Sequence, residues 1–212
     1  FTHDVGAEDL PWERRRWAGA GGPQRHHRAV VEGEQPHRRV FGFVRLAEGA
    51  RMTKNAHHFR PQHPSHYLIV SGDQLYRMDL ADMFKRHVES GCPLTIACTP
   101  VDREAASGFG IMQMDAQSRI LDFMEKPAPD LDIDNYKIPK ELRHDRRTGG
   151  KDYLASMGIY IFDAALMEEA LANAHNDFGK DVIPAILKSK PVNAYMFEGY
   201  WEDIGTVAAF FE

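Results

Sequence analysis

Cysteine is scarce in this 212-residue sequence, which holds only Cys92 and Cys98. Two thiols six positions apart cannot make a disulfide framework. They read as small core residues of one apolar strand in a reducing compartment. No run approaches the 18 apolar residues that a membrane span needs, so no membrane partner is expected. No secretory n-region and h-region opens the sequence, and a cytoplasmic location is expected. Neither G-x-G-x-x-G nor G-x-x-x-x-G-K-[ST] is present, so the Gly21-Gly22 pair is not a phosphate loop. No G-x-S-x-G elbow marks a serine nucleophile. Internal repeats are lacking, and so is any overall excess of basic charge.

What is there is ordinary for a folded chain: 43% hydrophobic and 27% charged residues, enough for a sizeable core without staples. The net charge of −5 is unevenly spread. Residues 1–60 hold 11 Lys and Arg against 7 Asp and Glu, and the rest hold 15 against 24. An acidic body argues against a nucleic-acid groove. Residues 1–51 have little periodicity and many Arg, His and Gly, and they read as an atypical segment of loop, disorder or miscoded sequence, with Val40 to Leu46 a possible short strand. His26-His27 reads as solvated histidine rather than a metal site, having no Cys or carboxylate spacing in support.

From Met52 the pattern is regular. Residues 52–60 read as a helix end before Pro61. His66 to Ser71 is a continuous apolar run that predicts a buried, parallel strand. A helix over Leu80–Ser90 capped by Gly91 and a strand over Leu94–Thr99 complete a strand–helix–strand unit. A hairpin is expected over 110–125, a long polar surface loop over 128–151 and a strand over Tyr153–Phe162. Helices are expected over Ala164–Ala172, over about Phe178–Leu187 and from Thr206, with a strand over Val192–Phe197 between the last two. Strands alternating with helices predict a three-layer α/β fold with a mixed sheet.

Four places could carry chemistry. Asp73 follows an apolar strand in Ser71-Gly72-Asp73; it either caps the next helix or holds a divalent cation beside a phosphate. Tyr200 to Thr206 contains Glu202-Asp203 before Ile204-Gly205-Thr206; it is either a turn with a helix cap or a second sheet-end carboxylate sharing one magnesium ion with the first. Glu125-Lys126-Pro127 ends a strand; Lys126 is either solvated or a point charge for a phosphate. Ser156 lies inside an apolar strand, where its hydroxyl bonds either backbone or a ligand hydroxyl.

Taken together and in order, the stretches HYLIVSGDQLYRMD, LTIACTPVD, GFGIMQMD, ILDFMEKP, YLASMGIYIF, NDFGKDVIP and YWEDIGTVAAFFE resemble the bacterial glucose-1-phosphate adenylyltransferases (ADP-glucose pyrophosphorylases) of the sugar nucleotidyltransferases. The resemblance covers about 52–212. It implies a three-layer, Rossmann-like nucleotidyltransferase domain with a mixed, mostly parallel sheet, incomplete at its N-terminus. It implies ATP and glucose 1-phosphate as partners and Mg2+ as cofactor, held by Asp73 and Asp203, with Asp73 the catalytic aspartate. Lys126 would meet the sugar phosphate, Glu125 and Ser156 the sugar hydroxyls, and Gly110 would offer backbone. Full-length members of this family are homo- or hetero-tetramers.

The departures also set expectations. Residues 1–50 lack the family's glycine-rich G-x-G-x-R-L loop, and Glu48 to Met52 stand where its GTADAV segment belongs. The family's C-terminal β-helix domain is not represented. The sequence therefore reads as a partial catalytic domain over 52–212, expected to be inactive as written. Two rival readings stay open: a non-catalytic, sugar-phosphate-binding or regulatory module, and an enzyme that uses UTP or dTTP.

Overall fold

The computed structural model describes the backbone of residues 40–45 and, in full, residues 64–71, 74–172 and 177–204. The helix end expected over 52–60, Gly72, Asp73 and the helix expected from Thr206 lie outside these residues.

The apolar runs form the strands expected of them, joined by two short strands, at 74–76 and 201–203, that no apolar run announces. They are β1 (Val40–Arg45), β2 (His66–Ser71), β3 (Gln74–Tyr76), β4 (Leu94–Val101), β5 (Gly110–Met114), β6 (Arg119–Glu125), β7 (Tyr153–Asp163), β8 (Val192–Met196) and β9 (Trp201–Asp203). Helix α1 (Leu80–Ser90) starts where the Asp79 carboxylate accepts the amides of Ala81 and Asp82, at 2.9 and 3.1 Å. Such a cap contributes about 1 kcal/mol. It ends at Gly91, whose φ of 63° is the left-handed conformation that glycine adopts without penalty. Short helices α2 (Arg103–Ala106), α3 (Ala164–Leu171) and α4 (Ile183–Leu187) follow, the last preceded by a π-helical turn, Phe178–Val182.

The pairing of the strands corrects the expected architecture. Strands β7, β4, β8, β6 and β5 are bonded in that order, and β5 bonds back to β7, so five strands close into a barrel. Of the pairings in this ring only β4–β8 is parallel; β4–β7, β5–β6, β5–β7 and β6–β8 are antiparallel. Outside the ring β2 runs antiparallel to β7 and carries β1 in parallel. The sheet is therefore mixed, mostly antiparallel and closed, not an open, three-layer, Rossmann-like sheet of mostly parallel strands. The strand–helix–strand unit β2–α1–β4 exists, but β7 lies between its two strands.

The cause lies in β7. Between the pairs Ile96↔Tyr160 and Cys98↔Ser156, β4 spends one residue and β7 spends three. Gly158 sits in this bulge at φ +66°. A bulge bends its strand and increases the local twist. The half of β7 before the bulge is shared by β4 and β5, and the half after it by β4 and β2.

Both faces of the central strands are buried, which is why they read as unbroken apolar runs. Tyr67 and Ile69 of β2 join the largest core cluster with Leu166, Met167 and Ile183. Leu68 and Val70 face the other way, onto Met83 of α1 and Phe197. A third cluster packs Ile133 and Tyr136 against Val101, Ile111 and Tyr153. The 128–151 segment is thus anchored, not simply laid on the surface. Arg103 Nη2 donates to the carbonyls of Pro129 and Leu131, and the Tyr136 hydroxyl donates to Asp122 at 2.5 Å. Cys92 and Cys98 are free and buried, as expected of core residues.

Candidate functional site

The hairpin of β5 and β6 brings three of the expected residues together. Gly110 opens β5 and is the cross-strand partner of Glu125, the last residue of β6. A side chain on Gly110 would run into the Phe123 ring and the Glu125 carboxylate. The same carboxylate also fills the space where a Cβ on Gly179, in the π-helical turn, would lie. Two glycines on separate elements thus make the room that the Glu125 carboxylate occupies.

Lys126 follows with a φ of 46°, a left-handed conformation uncommon outside glycine. Strain of this kind costs on the order of 1–3 kcal/mol and clusters at binding sites. Its amide donates to the Phe109 carbonyl at 3.0 Å, and its side chain is exposed. The buried Pro127 then takes the chain out of the ladder.

Phe109 links this corner to the small sheet of β3 and β9. Its ring meets Trp201 edge-on at 5.3 Å, and Trp201 Nε1 donates to Gln74 Oε1 at 3.3 Å. In the β3–β9 ladder Asp203 is the partner of Gln74. Asp203 is exposed, and Gln74 directly follows Asp73 in the chain. Asp73 itself lies outside the described residues. Gly158 meets the same corner: a Cβ there would sit 3.4 Å from Gln74 Nε2 and from Ser71 Cβ.

Ser156 is placed differently. It lies in the wall of the barrel, 9% exposed, and its Oγ accepts the Gly158 amide at 3.3 Å and is 3.4 Å from the Tyr160 hydroxyl. Its hydroxyl is thus engaged within its own strand. Gly110, Glu125, Lys126 and Asp203 share one rim through Phe109, Trp201 and Gln74, and Ser156 joins them through Gly158.

This rim suits hard ligands. Exposed Asp203 offers carboxylate oxygen, the donor that magnesium selects, and Lys126 offers an ammonium for phosphate. Gln74, Trp201, Phe109 and Gly179 were not singled out from sequence. All four fall within the quoted stretches, but their role depends on packing between distant elements.

A second cluster stands at the other end of β2. His66 opens that strand, His87 lies in the last turn of α1 and Asp163 ends β7. The Nε2 atoms of His87 and His66 lie 3.0 and 3.3 Å from one oxygen, Asp163 Oδ1. Nothing in sequence spacing announces a group whose members are 21 and 76 positions apart. Among the described residues no helix is long and apolar enough to cross a membrane.

With this geometry in place, a comparison with family models is informative. The model described as nucleotidyl transferase matches residues 33–212, which include both carboxylate-bearing ends of the rim and all of β1.

Proposed function

Since the chain belongs to the nucleotidyl transferase family, we propose that its rim binds glucose 1-phosphate and a magnesium–ATP complex, for the reaction that gives ADP-glucose and diphosphate. The observation that carries this reading is the convergence on one rim of an exposed cation, Lys126, a buttressed carboxylate, Glu125, and an exposed carboxylate, Asp203. The adenylyl and glucose preferences rest on the GDQLYRMD and WEDIGT wording.

In this reading Lys126 holds the sugar phosphate as a point charge. Glu125, fixed between Gly110 and Gly179, accepts hydrogen bonds from sugar hydroxyls, with Ser156 as a second contact and the Gly110 backbone as a close wall. Asp73 and Asp203 would hold the cation, Asp203 from its exposed place at the end of β9 opposite Gln74. Magnesium, when bound, offsets charge on phosphate oxygens. A sugar-phosphate oxygen attacks the α-phosphorus in line as the bond to the leaving diphosphate breaks. No proton need move and no covalent enzyme intermediate forms, so the residues act by positioning and charge.

Residues 1–50 lack the G-x-G-x-R-L wording, so sugar-phosphate binding is expected to be easier to detect than turnover in this chain. Calorimetry should give binding of glucose 1-phosphate that Lys126→Ala weakens at least tenfold. Diphosphate release assayed with ATP, UTP and dTTP should be slow and should favour ATP. Absence of glucose 1-phosphate binding, or binding indifferent to Lys126→Ala, overturns the reading. Sugar-phosphate binding with no nucleotide binding and no turnover favours the rival reading, a sugar-phosphate-binding module.

A further inference from the structure

The cluster at the far end of β2 has the makings of a metal site of another class. We propose that His66, His87 and Asp163 bind a zinc-class divalent cation that ties the start of β2, the last turn of α1 and the end of β7 together.

The ligand atoms suit it. One ligand atom from each of His66, His87 and Asp163 lies within 4.8 Å of the other two. Two of the three separations are 3.0 and 3.3 Å. Zinc–nitrogen and zinc–oxygen bonds of about 2.0–2.1 Å set at tetrahedral angles give ligand edges of about 3.3 Å. The set is close to the right size before any ion enters. Two imidazoles and one carboxylate suit zinc, not magnesium, which selects oxygen.

The surroundings of the two rings matter as much. His87 Nδ1 lies 2.8 Å from Thr95 Oγ1, and His66 Nδ1 lies 2.9 Å from Ser65 Oγ. Metal-binding histidines commonly have the other nitrogen engaged, which fixes ring orientation. A hydroxyl both donates and accepts. Without an ion, each Nε2–H can donate to Asp163 while the hydroxyl donates to Nδ1. With an ion, each proton sits on Nδ1 and the hydroxyl accepts it. The partner of each Nδ1 is thus already in place, and capture asks for no rebuilding of the cluster.

Access is one-sided. The side chains of His87 and His66 are 1% and 11% exposed, and that of Asp163 is 46% exposed. An ion enters past the carboxylate and keeps a fourth position for water, the open arrangement of a three-ligand zinc site. The site is separate from the rim: β2 leads from His66 to Ser71 over about 17 Å at about 3.3 Å per residue.

Co2+ and Zn2+ titrations of the full 212-residue chain test this. Eight of the eleven histidines fall within residues 1–66, so the binding must be localised. One equivalent of Co2+ should give the intense visible absorption of four-coordinate cobalt, and Zn2+ should displace it. Asp163→Asn, which keeps the shape of an exposed side chain, should abolish the band, as should His66→Asn. The paired change His26→Asn with His27→Asn should leave it intact. On the unaltered chain, imidazole nitrogen resonances should report the ion on Nε2 of His66 and His87. A spectrum of six-coordinate cobalt only, a band that survives Asp163→Asn, or nitrogen shifts confined to other histidines would overturn the assignment.

Discussion

At the residue scale, two glycines give opposite signatures. A methyl group at Gly110 meets the Phe123 ring, which is packed in the largest core cluster, as well as Glu125. At Gly179 it meets chiefly the carboxylate of Glu125, the far end of that side chain. Gly110→Ala should therefore cost about 1–3 kcal/mol in urea unfolding, as overpacking does. Gly179→Ala should change stability by less than about 1 kcal/mol and still weaken glucose 1-phosphate binding, because it displaces the carboxylate. An acidic residue of the 128–151 segment supplies a pH test. Asp145 is held down to about 2, first by its side-chain hydrogen bonds with Arg147. Its folded value lies below the unfolded value of about 3.9. The stabilisation is thus present above about pH 4 and disappears as pH falls through about 2. Because Arg147 is 44% exposed, solvent limits the effect to no more than about 1 kcal/mol. The stability gap between the native chain and Asp145→Asn should close as unfolding is followed from about pH 4 to about pH 2. Glu125, Lys126 and Asp203 were singled out because acids and a lysine follow strand ends, whereas Gly110 came only through the family resemblance. Phe109, Trp201 and Gln74 were not singled out, since an aromatic contact at 5.3 Å between β9 and the residue before β5 leaves no periodic trace.

At the element scale, Gly158 carries the bend of β7. Any other residue there takes a left-handed backbone costing roughly 1–2 kcal/mol, and its Cβ comes into contact with Gln74 and Ser71 at 3.4 Å. Gly158→Ala should lower unfolding stability by at least that amount, and it should disturb the Gln74–Trp201 contact, seen as a changed indole N–H resonance of Trp201. The same strand explains what the sequence concealed. Existence and limits of β2, α1, β4, the β5–β6 hairpin and β7 followed from apolar runs and turn residues. Their pairing did not. A strand buried on both faces reads as continuously apolar whatever the direction of its neighbours, and His66–Ser71, read as parallel, has one parallel neighbour, β1, and one antiparallel, β7. The polar surface loop of 128–151 hid a comparable point: Ile133, Tyr136 and Ile138 are buried, but three apolar residues amid charges have no helical or strand period.

At the scale of the whole molecule, chain order and spatial order are shuffled. Strands from before the 128–151 segment are paired with strands from after it: β2, β4 and β5 with β7, β4 and β6 with β8, and β3 with β9. Arg143 and His144 are exposed in the segment that joins the two sets. A protease site engineered between them should yield a nicked protein that elutes from gel filtration as one species and separates into two bands only in detergent. Loss of one piece under native conditions would contradict the interleaving. The connecting segment is a tether rather than a hinge between halves, and so the two half-chains, produced separately, should find each other and complement into one particle.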